Sequence, residues 1–154
     1  EELPKIVRGL LSESLAGRSR ILHVEDDPDV VEVVRQSLQS EFSIDAAQSL
    51  EQARKLLVLN DYHLVVLDLS LADGRGTELI PALVNSRGER IPTVVFTAED
   101  PSPEVRRQVR NVLTKSRANL ATLVDAVRSV LLEERVDTVE TRRDKREQAQ
   151  SALR

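Results

Sequence analysis

The chain of 154 residues carries 22 Lys and Arg against 26 Asp and Glu, which gives a net charge of -4. This length supports one domain with a full hydrophobic core, or a smaller domain with extensions. Aromatic residues make up only 2% and the net charge is negative, so we expect no direct binding of nucleic acid. Cys is absent, and no apolar stretch approaches the roughly 18 residues of a membrane-spanning helix. We therefore expect a cytoplasmic chain without a membrane segment.

Three parts are predicted along the chain. Residues 1–19 form an N-terminal extension or linker with a short apolar cluster, residues 20–132 a folded domain, and residues 133–154 a charged helical tail. The tail either continues the last helix or frays, and its sparse apolar stripe leaves a coiled-coil homodimer as an alternative. The chain begins with Glu1 and contains no Met, so we expect it to be a piece of a longer polypeptide.

Five strands are predicted between residues 20 and 114. Short runs rich in β-branched residues alternate with amphipathic stretches, which is the pattern of a parallel sheet covered by helices on both faces. The predicted strands are Arg20–Val24, Phe42–Ala46, His63–Leu69, Thr93–Thr97 and Asn111–Thr114. The fold class is therefore α/β, a doubly wound five-stranded parallel sheet, with the expected strand order 2-1-3-4-5.

Helices are predicted where apolar residues recur at three- and four-residue spacing. The first, the second and the extended last helix follow this pattern well. A third is predicted around Leu79–Val84, although Pro81 must either start it or kink it. The fourth crossover is short, so we expect a short or irregular helix there. The expected N-caps are Asp27, Ser49, Ser102 and Ser116.

Polar residues gather at the predicted carboxyl ends of the strands, where doubly wound sheets bind their ligands. These residues are Glu25, Asp26, Asp68, Thr97 and Lys115. In the order 2-1-3-4-5 the strand ends are neighbours, about 4.8 Å apart at each step. Three carboxylates, a hydroxyl and an ammonium group are therefore expected around one shallow pocket.

This concentration of carboxylates predicts a divalent cation, because one lysine cannot neutralise three of them. Oxygen ligands without His or Cys select Mg²⁺, which keeps waters for a phosphate-bearing substrate. A carboxylate beside the cation is then placed to attack phosphorus and form an aspartyl phosphate.

With these residues in view, the sequence resembles a known family. The segments ILHVEDDPD, VVLDLSLADGRG, VVFTAED and VLTKS, in this order and at these separations, are similar to the receiver domain of two-component response regulators. The resemblance covers about residues 20–132. It implies a flavodoxin-like (CheY-like) fold and a place in a phosphorelay.

The resemblance also implies roles for individual residues. Asp68 is the phospho-accepting aspartate and a Mg²⁺ ligand, Asp26 is a direct ligand, and Glu25 holds the cation mainly through water. The backbone carbonyl of Ser70 completes the metal site.

Switching and partners follow from the same resemblance. Thr97 is the hydroxyl that reorients towards the phosphoryl group, and Lys115 pairs with the phosphorylated aspartate. The phosphoryl group comes from a histidine of a sensor histidine kinase or a histidine phosphotransfer domain. Whether such a self-catalysed phospho-acceptor counts as an enzyme is left open.

Four departures from the family pattern affect the expected readout. Ala72 and Ser116 replace prolines, Val112 replaces an aromatic residue that often turns with the threonine, and only 17 residues separate Thr97 from Lys115. The short crossover resembles receivers at the C-terminal end of hybrid sensor histidine kinases.

Two other classes are weighed against the phosphorelay receiver. One is a pseudo-receiver, an interaction module whose partner binding does not depend on phosphorylation. The other is a phosphohydrolase, which usually needs a second acid where this chain has Ser70. Asp73 is interpreted as part of an Asp-Gly turn, and His23 and His63 as structural residues.

Overall fold

The computed structural model describes residues 18–116 and 118–152, without the side chains of residues 135–141. The apolar cluster predicted near the N-terminus lies outside the described residues. No helix in the described ranges is long and apolar enough to cross a membrane.

A sheet of five parallel strands forms the centre of the domain. The strands are β1 (Arg20–Val24), β2 (Ser43–Ala47), β3 (Leu64–Leu67), β4 (Thr93–Thr97) and β5 (Asn111–Thr114). Their order is β2-β1-β3-β4-β5, every neighbouring pair being parallel. The predicted fold class and strand order are confirmed.

Two strands differ from their predicted bounds. β2 begins and ends one residue later than predicted. β3 is shorter than predicted and ends at Leu67. After Leu67 the chain leaves the sheet and forms a short antiparallel ladder, in which Ser70–Leu71 pairs with Gly74–Arg75. Asp68 therefore follows the strand at its carboxyl end instead of interrupting it.

Within the described residues, three α-helices and one 3₁₀ helix connect the strands, and a fourth α-helix follows the last strand. The α-helices are α1 (Pro28–Leu38), α2 (Leu50–Leu59), α3 (Pro103–Gln108) and α4 (Leu120–Ala152). Three predicted N-caps are confirmed, since the side chains of Asp27, Ser49 and Ser102 each accept a hydrogen bond from a backbone N–H in the first turn. The short α3 also agrees with the sequence.

The predicted third amphipathic helix is wrong in type. Residues Gly76–Ala82 form a 3₁₀ helix, and Val84 then forms a bridge with Arg90. Pro81 lies inside this segment and has no N–H to donate to an i−4 carbonyl. A short i→i+3 helix tolerates this better than an α-helix, and it still buries Leu79.

The expected N-cap of the last helix is also wrong. The backbone N–H of Ala118 donates to the Thr114 carbonyl, so the chain first makes a turn after β5. α4 begins at Leu120, and the N–H of Thr122 donates to Oδ1 of Asn119, which caps the helix in place of Ser116. From there the helix continues through the predicted tail to Ala152, with residues 142–152 exposed.

Apolar side chains fill both faces of the sheet. α2 and the 3₁₀ helix cover one cluster, which includes Leu22, Val24, Val65, Leu67 and Val95. α1 and α4 cover the other, which includes Ile21, Leu64, Val66, Val94 and Phe96. Each fully buried Val, Leu or Ile contributes about 1.5–3 kcal/mol. Side chains alternate along a strand, so Glu25 and Asp68 project on the α1 and α4 side of the sheet edge.

Candidate functional site

The functional residues predicted from the sequence lie together at the carboxyl edge of the sheet. β1 and β3 are neighbours in a register that pairs Val24 with Leu67, so Glu25 and Asp68 follow paired residues. β4 and β5 pair Thr97 with Thr114, which brings Lys115 to the same edge. The topology, rather than any local motif, makes these residues neighbours.

Backbone hydrogen bonds fix where each of these residues leaves its strand. The N–H of Asp68 donates to the Val24 carbonyl at 3.0 Å, and the N–H of Lys115 donates to the Thr97 carbonyl at 2.7 Å. The N–H of Glu25 donates to the carbonyl of Ala47 in β2 at 2.9 Å. The site is therefore an extension of the hydrogen-bond ladder of the sheet.

Lys115 joins two of the carboxylates. Its ammonium Nζ donates to Oε1 of Glu25 and, at 3.3 Å, to Oδ2 of Asp68. Glu25 is 1% exposed, whereas the lysine side chain is 25% exposed. Nζ also lies 5.6 Å from the centroid of the Phe96 ring, within cation–π range.

The two carboxylates differ in their protonation. Burial raises the pKa of Glu25 to about 7, a hydrogen bond with Asp68 adds to the rise, and Lys115 opposes it. Burial alone would also raise the pKa of Asp68, but hydrogen bonds with Glu25 and Thr97, together with the charge of Lys115, lower it. Of these two carboxylates, Asp68 is therefore the one whose ionised form is favoured.

The oxygen atoms of the acidic residues fit a divalent cation. Glu25, Asp26 and Asp68 each offer a carboxylate oxygen, and these three atoms lie within 4.8 Å of one another. Oε2 of Glu25 is buried and has no hydrogen-bond partner, although Oε1 is bound by Lys115. A buried oxygen without a donor is costly unless a cation or an ordered water satisfies it. An all-oxygen set of this kind suits Mg²⁺.

Two loops border the Asp68 carboxylate. On one side, the N–H of Ser70 donates to Oδ1 of Asp68 at 3.3 Å. On the other side, the N–H of Glu99 donates to Oγ1 of Thr97 at 3.3 Å. Ser70 is exposed, whereas Thr97 is fully buried. Asp68 itself is only 6% exposed, so its carboxylate lies buried between these two loops.

Comparison with known proteins identifies the family. A family model described as "Response regulator receiver domain" matches residues 21–128. The chain belongs to this family. The response regulator protein PilR of Pseudomonas aeruginosa is 29% identical over 82 residues, which cover 53% of this chain and 18% of PilR. The chain thus corresponds to less than a fifth of that relative.

Solved receiver domains have the same fold. The CheY-like receiver domain protein of Methanospirillum hungatei is 21% identical with a TM-score of 0.68, covering 79% of this chain and 99% of that chain. The non-phosphorylated HemR receiver domain of Leptospira biflexa is 29% identical with a TM-score of 0.65, covering 74% and 94%. The flavodoxin-like receiver fold is therefore shown by both sequence and structure.

One residue of this receiver domain that the sequence did not single out is Gly76. A Cβ built on it would lie 2.1 Å from the Asp68 carbonyl oxygen and 2.9 Å from Cα of Leu69. The N–H of Gly76 also donates to the Leu69 carbonyl at 2.8 Å. The second glycine of the motif VVLDLSLADGRG was the available signal, but only the fold shows that the Asp68 backbone passes against it.

Of the two histidines of this receiver, only buried His23 lies near enough to Asp68 and Lys115 for their charges to affect its pKa. His63 is exposed and its Nδ1 accepts the N–H of Arg20. His23 is 2% exposed, and burial lowers its pKa to about 4, so it is neutral. Asp73 does more than form a turn, because its carboxylate accepts the N–H groups of Leu50 and Glu51 at the start of α2.

Proposed function

We propose that this chain is a phospho-accepting receiver domain in a two-component phosphorelay. In this proposal Asp68 takes a phosphoryl group from a phosphohistidine, and Thr97 and Lys115 convert the modification into a change of conformation. The observation that carries the proposal is the ionised, ammonium-paired Asp68 carboxylate beside two further carboxylates at the carboxyl edge of the sheet.

The transfer step follows from the position of Asp68. One carboxylate oxygen attacks phosphorus, the new O–P bond forms, and the N–P bond of the phosphohistidine breaks as the imidazole leaves with the electron pair. Mg²⁺ held by Asp26, Asp68 and the Ser70 carbonyl, with Glu25 acting mainly through water, would neutralise the charge on the phosphoryl oxygens. Ser70 N–H keeps the carboxylate oriented through its bond to Oδ1.

Lys115 and Thr97 act after the transfer. Nζ of Lys115 lies 3.3 Å from Oδ2 of Asp68, so its ammonium is placed to hold a phosphoryl oxygen once the carboxylate is phosphorylated. The Thr97 hydroxyl at present accepts the N–H of Glu99. Turning the hydroxyl towards the phosphoryl group breaks this bond and releases the loop after β4, which is how the signal would leave the site.

Incubation with acetyl phosphate and Mg²⁺, followed by intact mass measurement, tests this function. We expect one phosphoryl adduct on the wild-type chain and none on Asp68→Asn. An unmodified wild-type chain, or an adduct that persists in Asp68→Asn, contradicts the proposal. Under the proposed function, the partner is a sensor histidine kinase or a histidine phosphotransfer domain in the cytoplasm, and a hybrid histidine kinase parent stays a prediction.

A pseudo-receiver is the second candidate, because the α3 face is unusual. α3 has six residues and none of them is buried, and Val112 occupies the position where an aromatic partner of the threonine is common in the family. A pseudo-receiver predicts that partner binding is unchanged by beryllofluoride or by Asp68→Asn. A phosphorelay receiver predicts that both alter it.

A further inference from the structure

Phe96 lies between Lys115 and the Asp68 carboxylate on one face of the sheet. The register of β3 and β4 places Phe96 beside Asp68, and the register of β4 and β5 pairs Phe96 with Leu113. Phe96 packs in the cluster that α1 and α4 cover, which is the side on which Asp68 projects. Lys115 follows Leu113 by two residues, so it lies on this side as well, because side chains alternate along a strand. The ring therefore lies on the path by which the lysine reaches the carboxylate.

The lysine side chain crosses β4 to make its contacts. β5 and β3 are two strand steps apart, about 10 Å, and β1 lies one step further. Nζ of Lys115 nevertheless donates to Oδ2 of Asp68 at 3.3 Å and to Oε1 of Glu25. Holding the flexible stem of a lysine in one extended direction costs conformational entropy. The two carboxylates hold only the tip of this stem, so its direction depends on the surface that it passes over.

The Phe96 ring provides that surface. Nζ of Lys115 lies 5.6 Å from the ring centroid, within the roughly 6 Å over which an aromatic face attracts an ammonium group. Phe96 is 8% exposed and the lysine side chain is 25% exposed. Because this contact is largely removed from water, the attraction is stronger than at an exposed site. An aliphatic side chain in the same place would offer apolar contact without this attraction.

We propose that Phe96 is a positioning residue, whose ring face directs the Lys115 ammonium towards Asp68 and holds it there for the phosphoryl group. This inference rests on the proposed function, because the phosphoryl group is the anion that the ammonium receives. Phe96 acts through the lysine and does not itself contact the phosphoryl group. The ring thereby affects how strongly this edge of the sheet binds an anionic group on the acceptor.

The affinity for beryllofluoride in the presence of Mg²⁺ tests this role, since beryllofluoride binds a carboxylate as a phosphoryl group does. Phe96→Leu keeps an apolar side chain but removes the ring face. We expect it to weaken beryllofluoride binding by about two- to five-fold. Phe42→Leu is the matched control, because Phe42 packs against the same cluster but precedes β2 at the opposite edge of the sheet. Its affinity should equal that of wild type.

Ring fluorination separates the attraction of the ring face from simple packing. Fluorine withdraws electron density from the face while changing the shape of the ring little, so a merely structural role would not respond to it. The chain contains 2 Phe, so fluorinated phenylalanine supplied to a Phe42→Leu chain enters only at Phe96. We expect beryllofluoride affinity to fall stepwise as fluorine atoms are added to the ring. These chains carry the test if Phe96→Leu fails to fold.

A second readout needs no phosphoryl analogue. Protons above an aromatic face resonate upfield, so the ε-methylene signal of Lys115 should be shifted upfield in NMR spectra of wild type. In Phe96→Leu it should return to the position of the other lysine signals. A chain labelled at lysine gives few signals, and Lys115→Met identifies the one concerned; the labelled residues are Lys5, Lys55, Lys115 and Lys145.

The outcomes distinguish this inference from the proposed function. If wild type neither binds beryllofluoride nor gains a phosphoryl adduct, the proposed function fails, and the NMR shift alone then decides whether the ring directs the lysine. If wild type binds beryllofluoride and Phe96→Leu binds it equally well, the inference alone is overturned. It is also overturned if Phe42→Leu weakens binding as much, if fluorination has no effect, or if the Lys115 signal is not shifted.

Discussion

Replacing Gly76 by Ala tests whether the position of the Asp68 backbone depends on the glycine packed against it. Gly76 does not have a positive φ, so an alanine there meets no conformational strain of that kind. The added Cβ would instead lie 2.1 Å from the Asp68 carbonyl oxygen and 3.0 Å from the Asp68 carbonyl carbon. Both atoms belong to the backbone, so no rotamer change can relieve the clash.

The size of the effect follows from these distances. An ordinary contact of a Cβ is 3.4 Å or more, so the two chain segments must separate by about 1.3 Å. Overpacking of this kind typically costs about 1–3 kcal/mol of stability. The same displacement changes the position of Asp68 relative to Lys115, whose Nζ at present lies 3.3 Å from Oδ2 of Asp68. Since a misplacement of about 1 Å can cost up to about 100-fold in rate, we expect slower phosphorylation by acetyl phosphate.

Gly88→Ala separates displacement of the site from general loss of stability. Gly88 has a φ of 78°, and an added Cβ meets no atom within 4 Å. Alanine there costs about 1–2 kcal/mol through backbone strain alone. Urea unfolding should therefore show similar losses for the two variants, while intact mass shows slow phosphorylation only for Gly76→Ala. Normal phosphorylation of Gly76→Ala, or equal slowing in both variants, would refute the reasoning.

Three further predictions concern the charges around the site. Lys115→Met should lower the free energy of unfolding, measured by urea titration in magnesium-free buffer, by about 2–4 kcal/mol, because two buried carboxylates lose the ammonium group. Adding Glu25→Gln should recover part of this loss. An unchanged free energy of unfolding in Lys115→Met would contradict the role of the ammonium. Mg²⁺ at ten times its dissociation constant should stabilise wild type by about 1.4 kcal/mol in thermal unfolding, and an equal gain in Asp26→Asn would count against the ligand set. Asp73→Ala should lower the free energy of unfolding by about 1 kcal/mol and weaken the protection of the Leu50 amide in hydrogen exchange, without changing phosphorylation. Unchanged protection would show that the Asp73 carboxylate is not needed at the start of α2.

The parts of the fold that depend on local chemistry could be predicted from the sequence. Three helix starts were predicted because a short polar side chain before the first turn has only a few backbone donors within reach. The strands could be located because buried parallel strands need continuous β-branched runs. The prediction of an α-helix around Leu79–Val84 was wrong because the apolar spacing suits either an α-helix or a 3₁₀ helix, and Pro81 favours the second. The prediction of Ser116 as an N-cap was wrong because the chain makes a turn after β5, so α4 starts further along the sequence.

The sequence predicts which residues of the candidate site are neighbours only where this follows from the strand order. Once strand order is assumed, Glu25, Asp68 and Lys115 must meet, since each follows the carboxyl end of its strand. The close approach of Gly76 to the acceptor backbone has no such signal, because it depends on how the loop after β3 folds back. The contact of Arg75 with Glu99 likewise joins segments 24 residues apart, and many arginines in this chain could have been its partner.

Because α4 is long, a small tilt of its packed part moves its C-terminal end by a larger distance. Among the side chains of α4 that the structure describes, Leu131 is the last buried one, and the helix continues to Ala152, about 30 Å further at the usual rise per residue. Val127 and Leu131 pack with Val34 of α1, so this part of the helix rests on the domain. If a straight helical segment of this length tilts by about 5°, its end moves by about 2.6 Å. A spectroscopic label on a single cysteine introduced near Ala152 into this Cys-free chain would therefore be a sensitive reporter of the domain's state.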